Sequence, residues 1–597
     1  MRESSRPPLV EVDHGRSLAQ LVVDAAREVP EAVSFRRPDG SGGWTDVTAA
    51  AFLADVEAVA RGLVAAGVEP GDRVGLLSRT RYEWTLVDFA IWTAGAVTVP
   101  IYETSSRDQV AWVLEDSGAR CVVVETAVHA GLVQRARPEG DDGPTWAVED
   151  GGLDELRRLG RDVDPAELDR RRAALTCDSP ATLIYTSGTT GRPRGCVLSH
   201  GNFLVLAENG AALLRDLVRR EDASTLLFLP LAHVLARYIQ VLAVVSRTPL
   251  GHTSDPKHLA DDLASFRPTF VLSVPRVFEK IYNGAEAKAD AAGRGDLFRR
   301  AAGVAERWSR AQDAGGPGLG LRLQHALFDR LVYGRVRAAM GGRLDFAVSG
   351  GAPLGERLGH FFRGVGVTVL EGYGLTESTA PTAVGVPDEL RIGTVGRPLP
   401  GTSVRVGDDG EVQLKGPHIT SGYWRDEEAT RAAFVDGWFR TGDLGHLDDD
   451  GYLRITGRSK EIIVTAAGKN VAPAVLEDRL RAAPLVGQCM VVGDGRPFVG
   501  ALLTLDPDML PLWLRNHGLP EGTTPAEAAA MPEVRAELQR AVDSANEAVS
   551  RAESIRRFAV LPADLTEESG HLTPSLKLKR AAVLRDHADR VEEIYAS

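Results

Sequence analysis

The chain has 597 residues, 44% hydrophobic and 25% charged, an ordinary balance for a globular protein but too long for one core, so two or more domains are expected. Its net charge of −13 excludes a general nucleic-acid binder, and four scattered cysteines (Cys121, Cys177, Cys196, Cys489) show no metal or redox spacing. The most apolar run, 226–245, is broken by Pro230, His233, Arg237 and Gln240, and the N-terminus has no signal-peptide core, so a cytoplasmic protein without a membrane span is expected.

Residues 1–16 read as a loose polar arm. A helix is predicted from Trp44, because Phe52, Val56, Val59 and Leu63 are spaced four, three and four apart and Gly67 stops it. Strand Arg73–Leu77, helix Trp84–Ala94, strand Val97–Val99, helix Ser106–Asp116 and strand Arg120–Val124 follow. Such alternation implies a parallel sheet covered by helices. Residues 137–180 are charged and read as surface.

The chain then turns on one loop. Ala181–Tyr185 is a short apolar strand, and Thr186, Ser187, Gly188, Thr189, Thr190, Gly191, Arg192, Pro193, Arg194 and Gly195 cannot continue it. The glycines let backbone N–H groups converge on an anion, the hydroxyls add neutral donors, and two arginines add fixed charge. The pattern suits a polyphosphate but is no Walker loop, which needs a Gly-Lys-Ser/Thr ending.

Beyond a helix over about Asn202–Arg219, His233 closes the stretch Leu226–His233. A lone histidine in an apolar setting is more often a core residue than a ligand. Tyr238, Ile239 and Leu242 beyond it could wall an apolar channel. Val274–Lys280 is a strand end entering a helix, and 285–340 is helical with a glycine-rich break at 315–320.

Two further strand ends are glycine-rich. Gly350, Gly351, Ala352 and Pro353 end one with small residues, as close approach of a planar base needs. Gly372, Tyr373, Gly374, Thr376 and Glu377 end the other: an aromatic face to stack on, a hydroxyl for phosphate and a carboxylate suited to Mg²⁺. Asp443 could accept both hydroxyls of a ribose. Singly each is an ordinary turn or cap. Strands are also expected at Met490–Val492, Val499–Leu505 and Phe558–Leu561.

In this order the loop at 186–195, the Gly372–Glu377 segment and Asp443 resemble the adenylate-forming superfamily of acyl-CoA synthetases, adenylation domains and luciferases. The likeness spans about 17–585. The segment Val274–Lys280, and Leu576 standing where the superfamily commonly has glycine before its C-terminal lysine, look closest to bacterial long-chain fatty acid–CoA ligases. One departure is Arg194, where a lysine is usual. Only eight of the 69 basic residues are lysines, so an arginine in this place reads as a drifted lysine that keeps its charge.

The resemblance implies an α/β fold. A large N-terminal domain (1–457) would have parallel and mixed sheets under helices plus a distorted β-barrel subdomain. A small mobile α+β lid (458–597) would turn on a hinge near Lys460. It implies ATP held by Thr186, Ser187, Gly188, Thr189, Thr190, Gly191, Arg194, Gly350, Gly351, Ala352, Pro353, Gly372, Tyr373, Gly374, Asp443 and Arg458. It implies Mg²⁺ at Glu377, with Thr376, Glu377 and Lys577 catalytic, and coenzyme A passing Gly468 and Lys469. His233 and Tyr238 would touch the acyl chain.

The implied reaction is ATP plus fatty acid to acyl-AMP and pyrophosphate, then acyl transfer to coenzyme A. The implied partners are fatty acid, ATP and coenzyme A, with room for peripheral contact at a membrane face, in a monomer or homodimer. Two alternatives stand beside it: an acyl-AMP ligase loading a carrier protein, which typically has an insertion that this chain lacks between Lys460 and Gly468, and a weakly catalytic fatty-acid-binding or transport partner.

Overall fold

The structure is a computed structural model describing residues 2–138, 140–186, 192–255, 258–573 and 577–596. Two large sheets share one core. The first runs in the order Gly422–Tyr423, Arg194–Ser199, Pro180–Thr186, Val97–Ile101, Arg73–Leu77, Cys121–Val124, Thr145–Ala147. Its last five strands are parallel, as the strand–helix alternation predicts. The second sheet has nine strands, with Phe270–Ser273, Phe346–Ser349 and Thr368–Leu375 adjacent and parallel near its middle.

Helix Tyr82–Thr93 is buried around nearly its whole circumference, which suits a helix held inside the main core rather than on a surface. The Trp92 indole N–H donates to the Ala181 carbonyl at 2.9 Å, tying this helix to the strand Pro180–Thr186.

Three expectations are corrected. Residues 3–16 are not a loose arm. Glu3–Ser5 pairs antiparallel with Ser403–Val406, and the Asn209 amide oxygen accepts from the Leu9 and Val10 N–H groups at 2.8 and 3.1 Å. The partners lie some two hundred and four hundred residues away, so no local signal marked them. Trp44–Thr48 is a strand paired with Val33–Pro38, and the helix begins only at Ala49, where the Thr48 hydroxyl caps the Ala51 N–H at 3.2 Å. The barrel-like subdomain is an open six-stranded sheet among the described residues: Glu3–Ser5, Ser403–Val406, Glu411–Lys415, Trp438–Leu447 and Phe434–Val435, with Leu453–Arg458 on the Trp438–Leu447 strand.

The small C-terminal domain has its own core around Val486–Val492, Val499–Leu505 and Ile555–Val560. It rests on the large domain through ion pairs at the start of helix Pro275–Ala291. Arg276 meets Asp506 at 2.7 Å and Lys280 meets Asp508 at 2.9 Å. Thr104 also hydrogen-bonds Glu567. Among the described residues no helix is long and apolar enough to cross a membrane.

Candidate active site

A cavity of about 1100 Å³ opens where the strand ends of both large sheets meet the small domain. Ligands bind at such carboxyl-terminal strand ends because loops there converge without being committed to the sheets. Thr186, Arg194, Gly350, Gly351, Gly372–Glu377 and Arg458 line it from the large domain and the junction. Lys577 and Thr573 line it from the small domain. Its far wall is apolar, from Leu235, Ile239 and Leu242.

Two glycines are demanded by geometry. A β-carbon at Gly374 would fall 1.6 Å from the Ala380 carbonyl oxygen, so no side chain fits. Gly351 has φ +85°, and its absent β-carbon leaves space 3.9 Å from Lys577 Cε. The lysine therefore reaches across the domain boundary to a bare stretch of backbone. Its own turn is fixed: Lys577 N–H donates to Thr573 Oγ1 at 3.0 Å, and Thr573 N–H donates to the Lys577 carbonyl at 2.8 Å. Burial, and then the Arg458 charge, push the Lys577 pKa down, against the pull of Asp443 and Glu377. Two cations held this close at one end of the cavity suit an anionic ligand there.

Asp443 and Arg458 meet because strands Trp438–Leu447 and Leu453–Arg458 place them opposite each other. Their ion pair is 2.9 Å long. The Tyr373 hydroxyl donates to the other Asp443 oxygen at 2.6 Å. Burial, and then Asp443, hold the Tyr373 phenol far above its ordinary pKa, so it stays a donor. The phenol and the guanidinium fix both oxygens of Asp443, which is buried behind the lining residues Thr441, Gly442 and Leu444 and does not itself line the cavity.

Glu377 sits in the turn Thr376–Ser378 and accepts from the Tyr423 hydroxyl at 2.9 Å. Among the described residues its carboxylate has no other hydrogen-bonded side chain, and no cluster of three or more metal-ligating side chains exists. Glu377 lines the cavity with one oxygen left open, among the described residues, by its single hydrogen bond, which fits Mg²⁺, an ion that binds through one or two carboxylates plus phosphate oxygens. Arg194 meets Asp426 at 3.1 Å and lies 5.8 Å over the Tyr423 ring, so it belongs to the same corner as Glu377.

His233 lines the cavity and caps helix Val234–Ser246, its Nδ1 accepting from the Leu235 N–H at 3.2 Å. Burial, and then Lys577, push its pKa down to about 3. The ring is therefore neutral and carries its proton on Nε2. Tyr238 lies one turn further along the same helix wall.

Not every expected residue comes to the cavity. Ala352 and Pro353 are exposed and outside its lining, because the chain turns away after Gly351. Gly468 and Lys469 are also outside it. Gly468 has φ +77° with open space around it, and Lys469 pairs with Glu553 at 3.3 Å. Lys460 lines the cavity in the turn Ser459–Glu461. Ser187–Gly191 lie outside the described residues. Sequence reasoning missed Tyr423 and Asp426, which reach the site only because Gly422–Tyr423 pairs with Arg194–Ser199 across more than two hundred residues. No local pattern could have marked them.

Fold and cavity together define the adenylate-forming class, a large α/β domain and a small one meeting over a site with one anion-seeking end and one apolar wall. The chain belongs to the AMP-binding enzyme family: that family's model matches residues 22–424, and the AMP-binding enzyme C-terminal domain model matches 460–597. It is 52% identical, over the full length of both chains, to the long-chain-fatty-acid–CoA ligase FadD15 of Mycobacterium bovis and to its Mycobacterium tuberculosis counterpart. Among solved structures, the adenylation domain of a Mycobacterium chelonae carboxylate reductase has TM-score 0.74 at 21% identity, covering 98% of this chain and 92% of that one. The Bacillus subtilis O-succinylbenzoate coenzyme A synthetase, in complex with ATP and magnesium ion, has TM-score 0.68 at 21% identity, covering 94% and 98%. At these identities the structures speak to fold alone.

Proposed function

We propose that this chain is an AMP-forming long-chain fatty acid–CoA ligase working in two half-reactions. One observation carries the reading: Lys577 of the small domain stands beside Gly351 in a cavity whose other wall is apolar. A carboxylate is a poor electrophile until its oxygen becomes a good leaving group. In the first half-reaction a carboxylate oxygen attacks the α-phosphorus of ATP, and pyrophosphate leaves. Two anions must meet, and Lys577, a compact ammonium, suits the gap between them. Arg194 and Thr186 take the pyrophosphate end, and Asp443, held just behind the lining by Tyr373 and Arg458, would accept from the ribose hydroxyls once nucleotide binding brings it into reach. Tyr373 also offers its ring to adenine. Glu377 would hold Mg²⁺, which supplies Lewis-acid neutralisation of phosphate charge. Removing one well-placed electrostatic donor of this kind costs on the order of 10²–10³ in rate.

In the second half-reaction the thiol of coenzyme A attacks the acyl carbon and AMP leaves. Lys577 then occupies space that the thiol needs, while Gly468 stands outside the cavity. Rotation of 458–597 about Lys460 would exchange the two loops. The absence of an insertion between Lys460 and Gly468, and the identity to FadD15, favour coenzyme A over a carrier protein as acceptor.

Pyrophosphate release measured across acids from acetate to stearate, with and without coenzyme A, tests the proposal. Thioester formation with long acids is expected. Pyrophosphate release that yields no thioester when coenzyme A is present would overturn it in favour of an acyl-AMP ligase.

A further inference from the structure

Away from the cavity, the surface carries an ordered apolar row. On helix Leu319–Phe328 and the wider helical turn Asp329–Tyr333 that continues it, Leu319, Leu323, Leu327 and Leu331 are 79, 74, 57 and 42% exposed. Residues four apart share a helix side. In a regular α-helix such a row drifts by about 40° at each step, and the wider turn at 329–333 counters that drift. The leucines are not loosely turned outward. On the opposite side Phe328 and Tyr333 are buried, His325 stacks on Trp308 at 4.0 Å, and His325 Nε2 donates to the Gly364 carbonyl at 2.7 Å. The helix is pinned by one side and presents leucine on the other.

Its charge opposes that of the molecule. The chain carries −13, yet residues 314–344 hold five arginines against one aspartate. Arg337 is engaged by that aspartate, Asp329, at 2.7 Å, and Arg343 by Asp222 at 2.9 Å. Arg322, Arg330 and Arg335 are exposed and form no ion pair among the described residues. An apolar row beside unspent cations matches the boundary of an anionic bilayer, where leucine enters the acyl region and arginine meets lipid phosphate. A two-fold contact with a second copy would instead bring the same arginines against each other.

We propose that helix 319–331 seats the protein on anionic lipid bilayers, with Leu319, Leu323, Leu327 and Leu331 in the acyl layer and Arg322, Arg330 and Arg335 on lipid phosphates. Such seating places the cavity-bearing domain on the phase in which long acyl chains dissolve. Binding itself does not depend on the ligase reading and is measured without turnover.

The test is co-sedimentation of the full chain with vesicles of phosphatidylglycerol and phosphatidylcholine, against vesicles of phosphatidylcholine alone. Binding is expected to the anionic vesicles, roughly tenfold weaker without phosphatidylglycerol and weakened by salt. The double variants Leu323→Glu/Leu327→Glu and Arg330→Glu/Arg335→Glu should each lose about tenfold or more. Leu327→Trp, a milder change, should keep binding and add to the emission of the nine tryptophans already present a component that lipids brominated along the acyl chain quench. Vesicle binding that is absent, or unchanged in the glutamate variants, or accompanied by no added quenching in Leu327→Trp, overturns the proposal. A fall in solution mass from dimer to monomer in Leu323→Glu/Leu327→Glu, without vesicle binding by the parent chain, would assign the face to a second copy instead.

Discussion

Lys577 of the small domain lies beside Gly351 of the large one, so its amine and that backbone stand at the same end of the cavity. Lys577→Ala should abolish adenylate formation from ATP and fatty acid, yet leave thioester formation from supplied acyl-adenylate within a few-fold. Equal loss in both assays would remove the lysine from its assigned role. Arg194 makes a half-exposed contact with Asp426, and such pairs are worth at most about 1 kcal/mol. Arg194→Lys keeps the charge, so kcat/KM should fall less than about tenfold, a barrier change under roughly 1.4 kcal/mol. A larger loss would mean that the guanidinium fork itself holds pyrophosphate. Tyr373, Glu377 and Asp443 stood out in the chain by residue type and Lys577 through the family resemblance; Tyr373, Glu377 and Lys577 line the cavity, and Asp443 lies behind its lining. The support behind them was not legible in the chain: Tyr423 reaches Glu377 through a strand pairing that no local pattern announces.

Helix Val234–Ser246 presents Tyr238, Ile239 and Leu242 to the cavity and turns Arg237 the other way. Arg237 meets Asp88 at 2.6 Å, with both side chains fully buried, and donates to Thr182 Oγ1 at 2.5 Å on strand Pro180–Thr186. Gln240 and Thr98 complete the aspartate's partners at 3.0 and 2.7 Å. One network thus joins helix Val234–Ser246 to strand Pro180–Thr186. The apolar run that contains Arg237 predicted a poor membrane span, and the reason is now visible: its polar residues are satisfied inside the protein. Removing one partner of a buried pair strands the other charge. Arg237→Met should therefore destabilise the large domain by roughly 3–5 kcal/mol in urea titrations. A loss below about 1 kcal/mol would show that Asp88 is held as well without it. Helix Pro275–Ala291 plays a comparable part between domains, through Arg276–Asp506 and Lys280–Asp508.

At the scale of the molecule, four histidines are folded in their neutral form. Burial pushes His200, His233 and His418 down to about 3 and His252 to about 4. The unfolded chain takes up these protons near pH 6.5 and the folded one does not. Stability is therefore complete above that value and is lost as pH falls from about 6.5 towards 4, by roughly 1.4 kcal/mol per histidine per pH unit. Melting temperatures should drop steeply between pH 6.5 and 5, and a flat profile there would contradict the buried neutral rings. Lys460 lies in the turn Ser459–Glu461 and lines the cavity, and the proposed rotation makes it the pivot. Lys460→Pro should slow thioester formation more than adenylation, whereas unimpaired transfer to coenzyme A would place the pivot elsewhere.

The sequence by itself determined the strand–helix alternation and the order of the glycine-rich segments, because periodicity and short motifs are local properties, and the class of chemistry followed from the family that those motifs resemble. It misplaced the arm at 3–16 and the strand at Trp44, and it expected Ala352 and Pro353 in the site. Pairing across hundreds of residues and the direction in which a chain leaves a turn depend on partners that local residue patterns do not name. Only the tertiary structure decided that Lys577 and not Gly468 faces the cavity, since that depends on how one packed domain rests upon another. It alone showed which leucines of helix 319–331 remain outside, because an amphipathic pattern fixes two faces but not which of them the core will cover.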